Sequence, residues 1–313
     1  MSYELRSRLV IGVASSAMFD LSESDAVYRN EGEAAYREHQ EKHRDAVLGK
    51  GVAFSFIKRL LAFNDLSDHP KSDPLVEVVL LSRNDPQTGL RVMNSIKHYG
   101  LEMTRAIFLQ GRSPYAYIPA LNISLFLSAN EKDVGEAIAA GYPAGMVLDS
   151  VANDEAEDPE LRIAFDFDGV VIDDEAEHVY QETGDVEAFH AHEQLNVLKP
   201  HNPGPLAEFL KRVAVIQRIE QKKKEEEADY RQRLRVSIVT ARNAPSHERV
   251  VNTLKSWGIM VNEAFFLGGI EKSRVLEVLK PHIFFDDQRG HLESASSVTP
   301  SVHIPFGIAN RRV

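Results

Sequence analysis

Short apolar runs recur along the chain, with stretches of helical periodicity between many of them. The runs fall at Leu9–Val13, Val76–Leu81, Ala106–Leu109, Ile123–Leu127, Leu161–Phe165, Val236–Val239, Ala264–Leu267 and Ile283–Phe285. Short apolar runs bounded by polar turns read as buried strands, and their alternation with helices predicts an α/β protein on a mostly parallel sheet. The pattern also repeats itself. LRVMNSIKHYGL from Leu90 and ERVVNTLKSWGI from Glu248 lie 158 residues apart. Val92, Ile96 and Tyr99 share one helical face, as do Val250, Leu254 and Trp257, and each helix is expected to stop at a glycine, Gly100 or Gly258. At the same offset AIFLQG (from Ala106) meets AFFLGG (from Ala264), and LFLSAN (from Leu125) meets IFFDDQ (from Ile283). EAAYREHQ (from Glu33) resembles VEAFHAHEQ (from Val186) at an offset of about 153. A constant offset across helix, strand and loop predicts a tandem duplication, with lobes at 1–155 and 156–313.

Each lobe holds an insertion after its first strand. In the second it runs over about 174–235 and contains RIEQKKKEEEADYRQRLR from Arg218. Opposite charges at helical spacing there read as a solvated helix or arm. The 313 residues suit two domains. The formal charge of −11 disfavours extended nucleic-acid binding. No apolar stretch is long enough for a bilayer, the start of the chain reads as a strand rather than a leader, and there is no cysteine. A cytoplasmic location is therefore expected, and thiolate chemistry is excluded.

The sharpest chemical signal is RIAFDFDGVVIDDE, where an apolar strand runs straight into Asp166, Asp168 and Gly169. Ligands of open α/β sheets bind beyond the carboxyl ends of strands, and residues two apart there point the same way. A second strand ends at Thr240 in TARN, where the hydroxyl and the backbone of Ala241 and Arg242 suit phosphate oxygens. Lys272 follows at a predicted helix start and suits charge neutralisation, with Lys280 as the alternative. A last strand ends in Asp286 and Asp287, whose hard oxygens suit Mg2+; Asp286 is expected as the direct ligand and Asp287 as support or as a ligand through water.

Four strand-end elements in this order resemble the haloacid dehalogenase-like superfamily. Across nearly the whole chain, LLSRNDPQTGLRVMNSIKHYGL, LFLSANEKDV, DDEAE, TARNAPSHERVVNTLKSWG, PHIFFDDQ and VHIPFG resemble the cytosolic 5'-nucleotidase type I family. The resemblance implies a Rossmannoid sheet with a cap insertion, preceded here by a degenerate duplicated α/β lobe. It implies a Mg2+-dependent hydrolase of nucleoside 5'-monophosphates. Asp166 would attack phosphorus, Asp168 would act as acid and base, and Thr240 and Lys272 would hold phosphate oxygens. The metal would lie among Asp166, the Asp168 carbonyl, Asp286 and Asp287. Cap residues Tyr180, Phe189, His192 and Glu193 are candidates for base and sugar contacts. A metal cluster of His190, His192 and Glu193 lacks further ligands at suitable spacing. A sugar-phosphate phosphatase and a non-catalytic nucleotide sensor remain alternatives.

In the first lobe the internal alignment puts Ala14, Ser16, Pro114, Ser128 and Ala129 opposite Asp166, Asp168, Lys272, Asp286 and Asp287. Only a hydroxyl survives, with Ser82 opposite Thr240. That lobe is expected to serve as support, as a homo-oligomer surface or as part of the nucleotide pocket. An effector crevice lined by Ser82–Asp85 and Ser128–Asn130 is a further option.

Overall fold

A computed structural model describes residues 4–151 and 158–310, with only the backbone at 180–183. The chain divides into two compact units, Met1–Val147 and Leu148–Val313. The boundary expected near 155 falls outside the described residues.

In the first unit β1 (Leu9–Val13) leads through a single turn, α1 (Ser15–Met18), to β2 (Phe19–Asp20), α2 (Ser22–Lys42) and β3 (Gly49–Lys50). The two-residue strands β2 and β3 pair antiparallel. Then come α3 (Phe54–Ala62), β4 (Val76–Ser82), α4 (Leu90–His98), β5 (Arg105–Phe108), α5 (Tyr117–Ala120), β6 (Leu125–Ser128), α6 (Glu131–Ala139) and β7 (Ala144–Val147). The unit's sheet has the order β5-β4-β1-β6-β7, every pair parallel.

The second unit runs β8 (Leu161–Phe165), α7 (Glu175–Thr183), α8 (Val186–Leu195), α9 (Ala207–Glu226), β9 (Leu234–Thr240), α10 (His247–Ser256) and β10 (Glu263–Phe266). It closes with α11 (Lys272–Leu279), β11 (Ile283–Asp286), α12 (Arg289–Ala295) and β12 (Ser301–His303). Its order, β10-β9-β8-β11-β12, is also parallel throughout. Such sheets bury both faces, which is why β1, β4, β6 and β11 are buried from end to end. On one face of the second sheet Leu276, Leu292 and Ala295 pack on Ala164, Val239 and Phe284. Phe209 of α9 packs against Phe165 and Phe285, at 5.9 and 6.0 Å between ring centroids. So α9 lies on the sheet, and the stretch expected as an insertion leaves α7 and α8 beyond the strand ends. The charged segment from Arg218 continues α9 to Glu226 as the expected solvated helix, and is not a free arm. Glu220 is fully buried and accepts from the backbone N–H groups of Arg233 and Leu234 and from the Tyr230 hydroxyl, which seats the start of β9. Among the described residues no helix is long and apolar enough to cross a membrane.

The two units agree in strand order and also in register and fine contacts. Leu9 pairs with Val76 as Leu161 pairs with Leu234, and Ile11 with Leu125 as Ile163 with Ile283. Helices α4 and α10 end in the same cap: Leu101 N–H reaches Ile96 O at 3.1 Å, and Ile259 N–H reaches Leu254 O at 3.0 Å. Arg91 donates to Ala46 O as Arg249 does to Lys199 O, both at 3.0 Å. One cross-strand pair is retained with its charges exchanged. Glu77 on β4 faces Arg105 on β5 at 2.5 Å, whereas on β9 and β10 the pair is Arg235 and Glu263. Opposite charges across adjacent strands are what the position requires, not a particular sign on either strand. Glu77→Arg alone should therefore destabilise the protein by about 1–3 kcal/mol, because it sets like charges together at a half-buried position. Adding Arg105→Glu should restore most of that loss, as read by urea unfolding; no recovery in the double variant would refute the equivalence.

Candidate active site

In the second unit β8 lies between β9 and β11, so chain direction across the sheet reverses beside it. Polar side chains leaving these three strands must meet at one edge. Asp166 follows β8 directly, held by its N–H to Phe285 O at 2.7 Å. Thr240 ends β9 and Asp286 ends β11. The chain leaves Asp168 through Gly169, at φ +67°. A Cβ there would stand 2.5 Å from Asp287 Oδ2, so both conformation and space require glycine.

Lys272, the first residue of α11, places its ammonium 2.9 Å from Asp166 Oδ1 and 2.7 Å from Asp286 Oδ2, and all three groups are buried. Burial alone would discharge the lysine, but the two carboxylates outweigh it and hold its pKa above the ordinary value. Burial pushes the Asp166 carboxyl up to about 7; Asp286 and Asp168 add to this against the opposing pull of Lys272. Asp287 is pushed up to about 9, again chiefly by burial and then by Asp166 and Asp286. One ammonium does not neutralise three crowded carboxyls. The donor set therefore fits a hard divalent cation, and Asp287 Oδ1 is buried with no hydrogen-bond partner. Asp166, Asp286 and His291 bring ligand atoms within 4.8 Å of one another, yet Lys272 already bridges the two carboxylates of that set. Asp286 is further engaged by Gln288 N–H at 2.8 Å.

The Arg242 guanidinium grips Asp168 with two bonds of 2.7 Å and lies between the rings of Phe167 and Phe189, 5.5 and 5.3 Å from their centroids. Behind it is a buried group that sequence reasoning did not assemble. Glu193 of α8 receives Arg242 on one oxygen and Arg249, at 2.7 Å, on the other. His201 Nε2 lies 3.1 Å from Glu193, and its Nδ1 2.9 Å from Thr253 Oγ1. Burial lowers the His201 pKa, so a neutral ring donating from Nε2 and accepting at Nδ1 satisfies both bonds. Burial raises the Glu193 pKa, but the His201 hydrogen bond and the Arg242 charge overcome it and bring it down to about 2. The available signal was the repeat itself, which sets Gln40 and Arg91 opposite Glu193 and Arg249; in the first unit Arg91 also reaches Gln40, at 3.4 Å.

These groups border a cleft of about 330 Å³ lined by Asp166, Asp168, Thr240, Ala241 and Arg242 together with Val186, Phe189, His190 and Asn243. Thr240 Oγ1 accepts from Arg242 N–H at 3.2 Å. His190 Nε2 meets Asn243 Oδ1 at 2.9 Å, and His192 Nε2, buried without a hydrogen bond, lies 3.4 Å from Glu175, so His190, His192 and Glu193 face different groups. The Tyr180 side chain lies outside the described residues. Lys280 caps α11 in a left-handed conformation and is not part of the cleft lining. The first unit has a cleft of about 440 Å³ at the matching edge, lined in part by Tyr36, Arg83, Asn84 and Asp85. Its arginines are paired, Arg83 with Asp133 and Arg37 with Asp85.

The 5'-nucleotidase family model matches residues 1–311. The chain belongs to the 5'-nucleotidase family. This 5'-nucleotidase-family chain is 36% identical to human "Cytosolic 5'-nucleotidase 1B" over 293 residues, which is 93% of the chain and 47% of that protein. It thus spans about half the length of that relative. No solved structure matches it significantly.

The buried Glu193 predicts a pH signature. Its folded pKa lies below the ordinary 4.5, so its ionisation stabilises the fold fully above pH 4.5, and that contribution is lost as pH falls towards about 2. Glu193→Gln should cost about 3–5 kcal/mol near neutrality by stranding buried arginine charge. The gap from wild type in urea unfolding should shrink as pH drops below 4.5. A gap independent of pH would contradict the assignment.

Proposed function

We propose that the chain is a Mg2+-dependent phosphatase of the haloacid dehalogenase-like kind that hydrolyses nucleoside 5'-monophosphates in the cytoplasm. The second unit is its catalytic domain, with α7 and α8 as the cap. The observation that carries this reading is the meeting of Asp166, Asp168, Thr240 and Lys272 at one strand edge, beside carboxylates in excess of the local cations. The first unit is a duplicated lobe that has lost the reacting groups. Its family membership and its likeness to a cytosolic 5'-nucleotidase support the substrate class.

Asp166 is placed to attack phosphorus. A bond forms from its carboxylate oxygen to phosphorus as the bond to the 5'-oxygen breaks, and Asp168 delivers a proton to that oxygen. Asp168 then takes a proton from water, which attacks phosphorus and frees Asp166 and inorganic phosphate. Thr240, the backbone at Ala241 and Arg242, and Lys272 hold the phosphate oxygens. Because Arg242 grips Asp168, a phosphate that draws the guanidinium towards itself also loosens Asp168 for proton transfer. Mg2+, when bound, would neutralise charge on the phosphate and the attacking carboxylate. We assign it to Asp166, Asp287 and the Asp168 carbonyl, with Asp286 holding Lys272, since Asp287 has the unpartnered oxygen. Phe189 and Val186, with the His190–Asn243 pair, form the side of the cleft open to base and sugar.

Phosphate release across nucleoside 5'-monophosphates, nucleoside 3'-monophosphates and sugar phosphates tests the substrate class; turnover confined to sugar phosphates would overturn it. Asp166→Asn should lose at least about a thousandfold in kcat with an unchanged melting curve. Near-normal turnover in that folded variant would remove Asp166 as nucleophile. Chelation should stop turnover and added Mg2+ restore it. Asp287→Asn should raise the Mg2+ needed for half-maximal rate by about tenfold or more, above the effect of Asp286→Asn; the reverse ranking would return Asp286 to the metal.

A further inference from the structure

A second set of ligand-type side chains lies in the first unit and takes no part in the chemistry above. We propose that Glu23, His39 and His43 form a site for one transition-metal ion of the zinc type. Helix α2 is broken at Gly32, where φ is 84° and ψ −176°, and its two arms bring the first turn against the last. Glu23 on one arm thereby meets His39 and His43 on the other, with one ligand atom from each all within 4.8 Å.

The histidines are four residues apart on one helical arm, a spacing that puts two imidazoles on one face to share a metal ion. Their ring centroids are 4.2 Å apart. His43 Nδ1 lies 2.8 Å from the His39 carbonyl, an acceptor only, so Nδ1 carries a proton and Nε2 is the nitrogen left for a metal. A carbonyl that fixes the tautomer of a histidine in this way is the usual support of a metal ligand. His39 Nε2 is buried with no hydrogen-bond partner and stands 3.9 Å from Glu23 Oε1. Ligand atoms on a tetrahedral ion at about 2.1 Å are about 3.4 Å apart, so a small rotation of the exposed Glu23 closes its gap to His39. Two neutral imidazoles and one carboxylate select zinc-like ions over Mg2+ and leave a fourth position for water. The carboxylate-rich cleft of the second unit has the opposite preference.

The second unit supplies a control. Glu175 and His192 repeat the Glu23–His39 pair, at 3.4 Å, but Asn196 stands where the first unit has His43. Asn196 Nδ2 donates to His192 O at 2.9 Å, the same bond that His43 Nδ1 makes to His39 O. Asparagine therefore meets the structural need. What histidine adds is a second ring nitrogen, Nε2, able to bind a metal.

Zinc chloride titrated into the full chain in excess Mg2+, against a chromogenic chelator, tests the site. Wild type should bind one equivalent more than His39→Gln/His43→Asn, or bind it at least about a hundredfold more tightly, and Glu23→Gln should weaken it about tenfold. Zinc should raise the Tm of wild type and not that of the double variant. Zinc-edge X-ray absorption of the wild type should show two imidazoles in the shell, and decides the matter alone if a variant fails to fold. Equal uptake by wild type and a folded double variant, or a shell without an imidazole pair, would overturn the site.

Discussion

Carboxylates buried at the ends of apolar strands are tolerable only if cations come with them, and this constraint organises the second unit. Asp166, Asp168, Asp286 and Asp287 leave the sheet at one edge, where the parallel arrangement offers backbone and hydrophobic side chains but no compensating charge. Lys272 answers two of them and Arg242 a third. Arg242 is itself buried, so it is balanced in turn by Glu193, and Glu193 by Arg249. Each charge takes its place from the one before it. The chain of pairs runs from the strand ends to α8 and on to α10, so the position of α8 is set by the electrostatics of the cleft. Asp287 is left over: burial raises its pKa, and its Oδ1 is buried without a hydrogen-bond partner.

The first unit shows the same scaffold without carboxylates at the matching strand ends, where β4 and β6 close on Ser82 and Ser128. Alanine, serine and proline stand opposite the strand-end aspartates and Lys272, Ser15 and Ser82 share a hydrogen bond of 3.1 Å, and Gln40 serves where Glu193 stands. Registers, helix caps and the Arg91 and Arg249 contacts persist because they hold the backbone. The first unit's buried carboxylates, Glu77, Asp85 and Asp133, are each answered by one arginine, Arg105, Arg37 and Arg83, so no connected lattice is needed. This contrast separates what the fold needs from what the charged cleft needs within one chain.

The sequence pattern was most legible where apolar runs are long. β1, β4, β6, β8, β9 and β11, buried central strands, appear near their expected places, and so do the half-buried edge strands β5 and β10. β7 and β12 were not anticipated: AGMV and SVH are too short and too mixed to stand out. The strand-end residues were legible from order and spacing, and the cleft gathers them. Glu193, Arg249 and His201 were not legible as a group, because long-range ion pairing leaves no local periodicity. Glu220 was hidden for another reason. It sits among charges of a solvated kind, and only the exit of α9 into β9 turns it inward.

Gly169 carries a consequence of its own. A carbon at its Cβ position would meet the Asp287 carboxylate, and every amino-acid replacement reachable by a single-base change from a glycine codon adds that carbon. The position therefore has no mild missense allele. Drift can recolour much of the cleft, but at this codon it meets a wall.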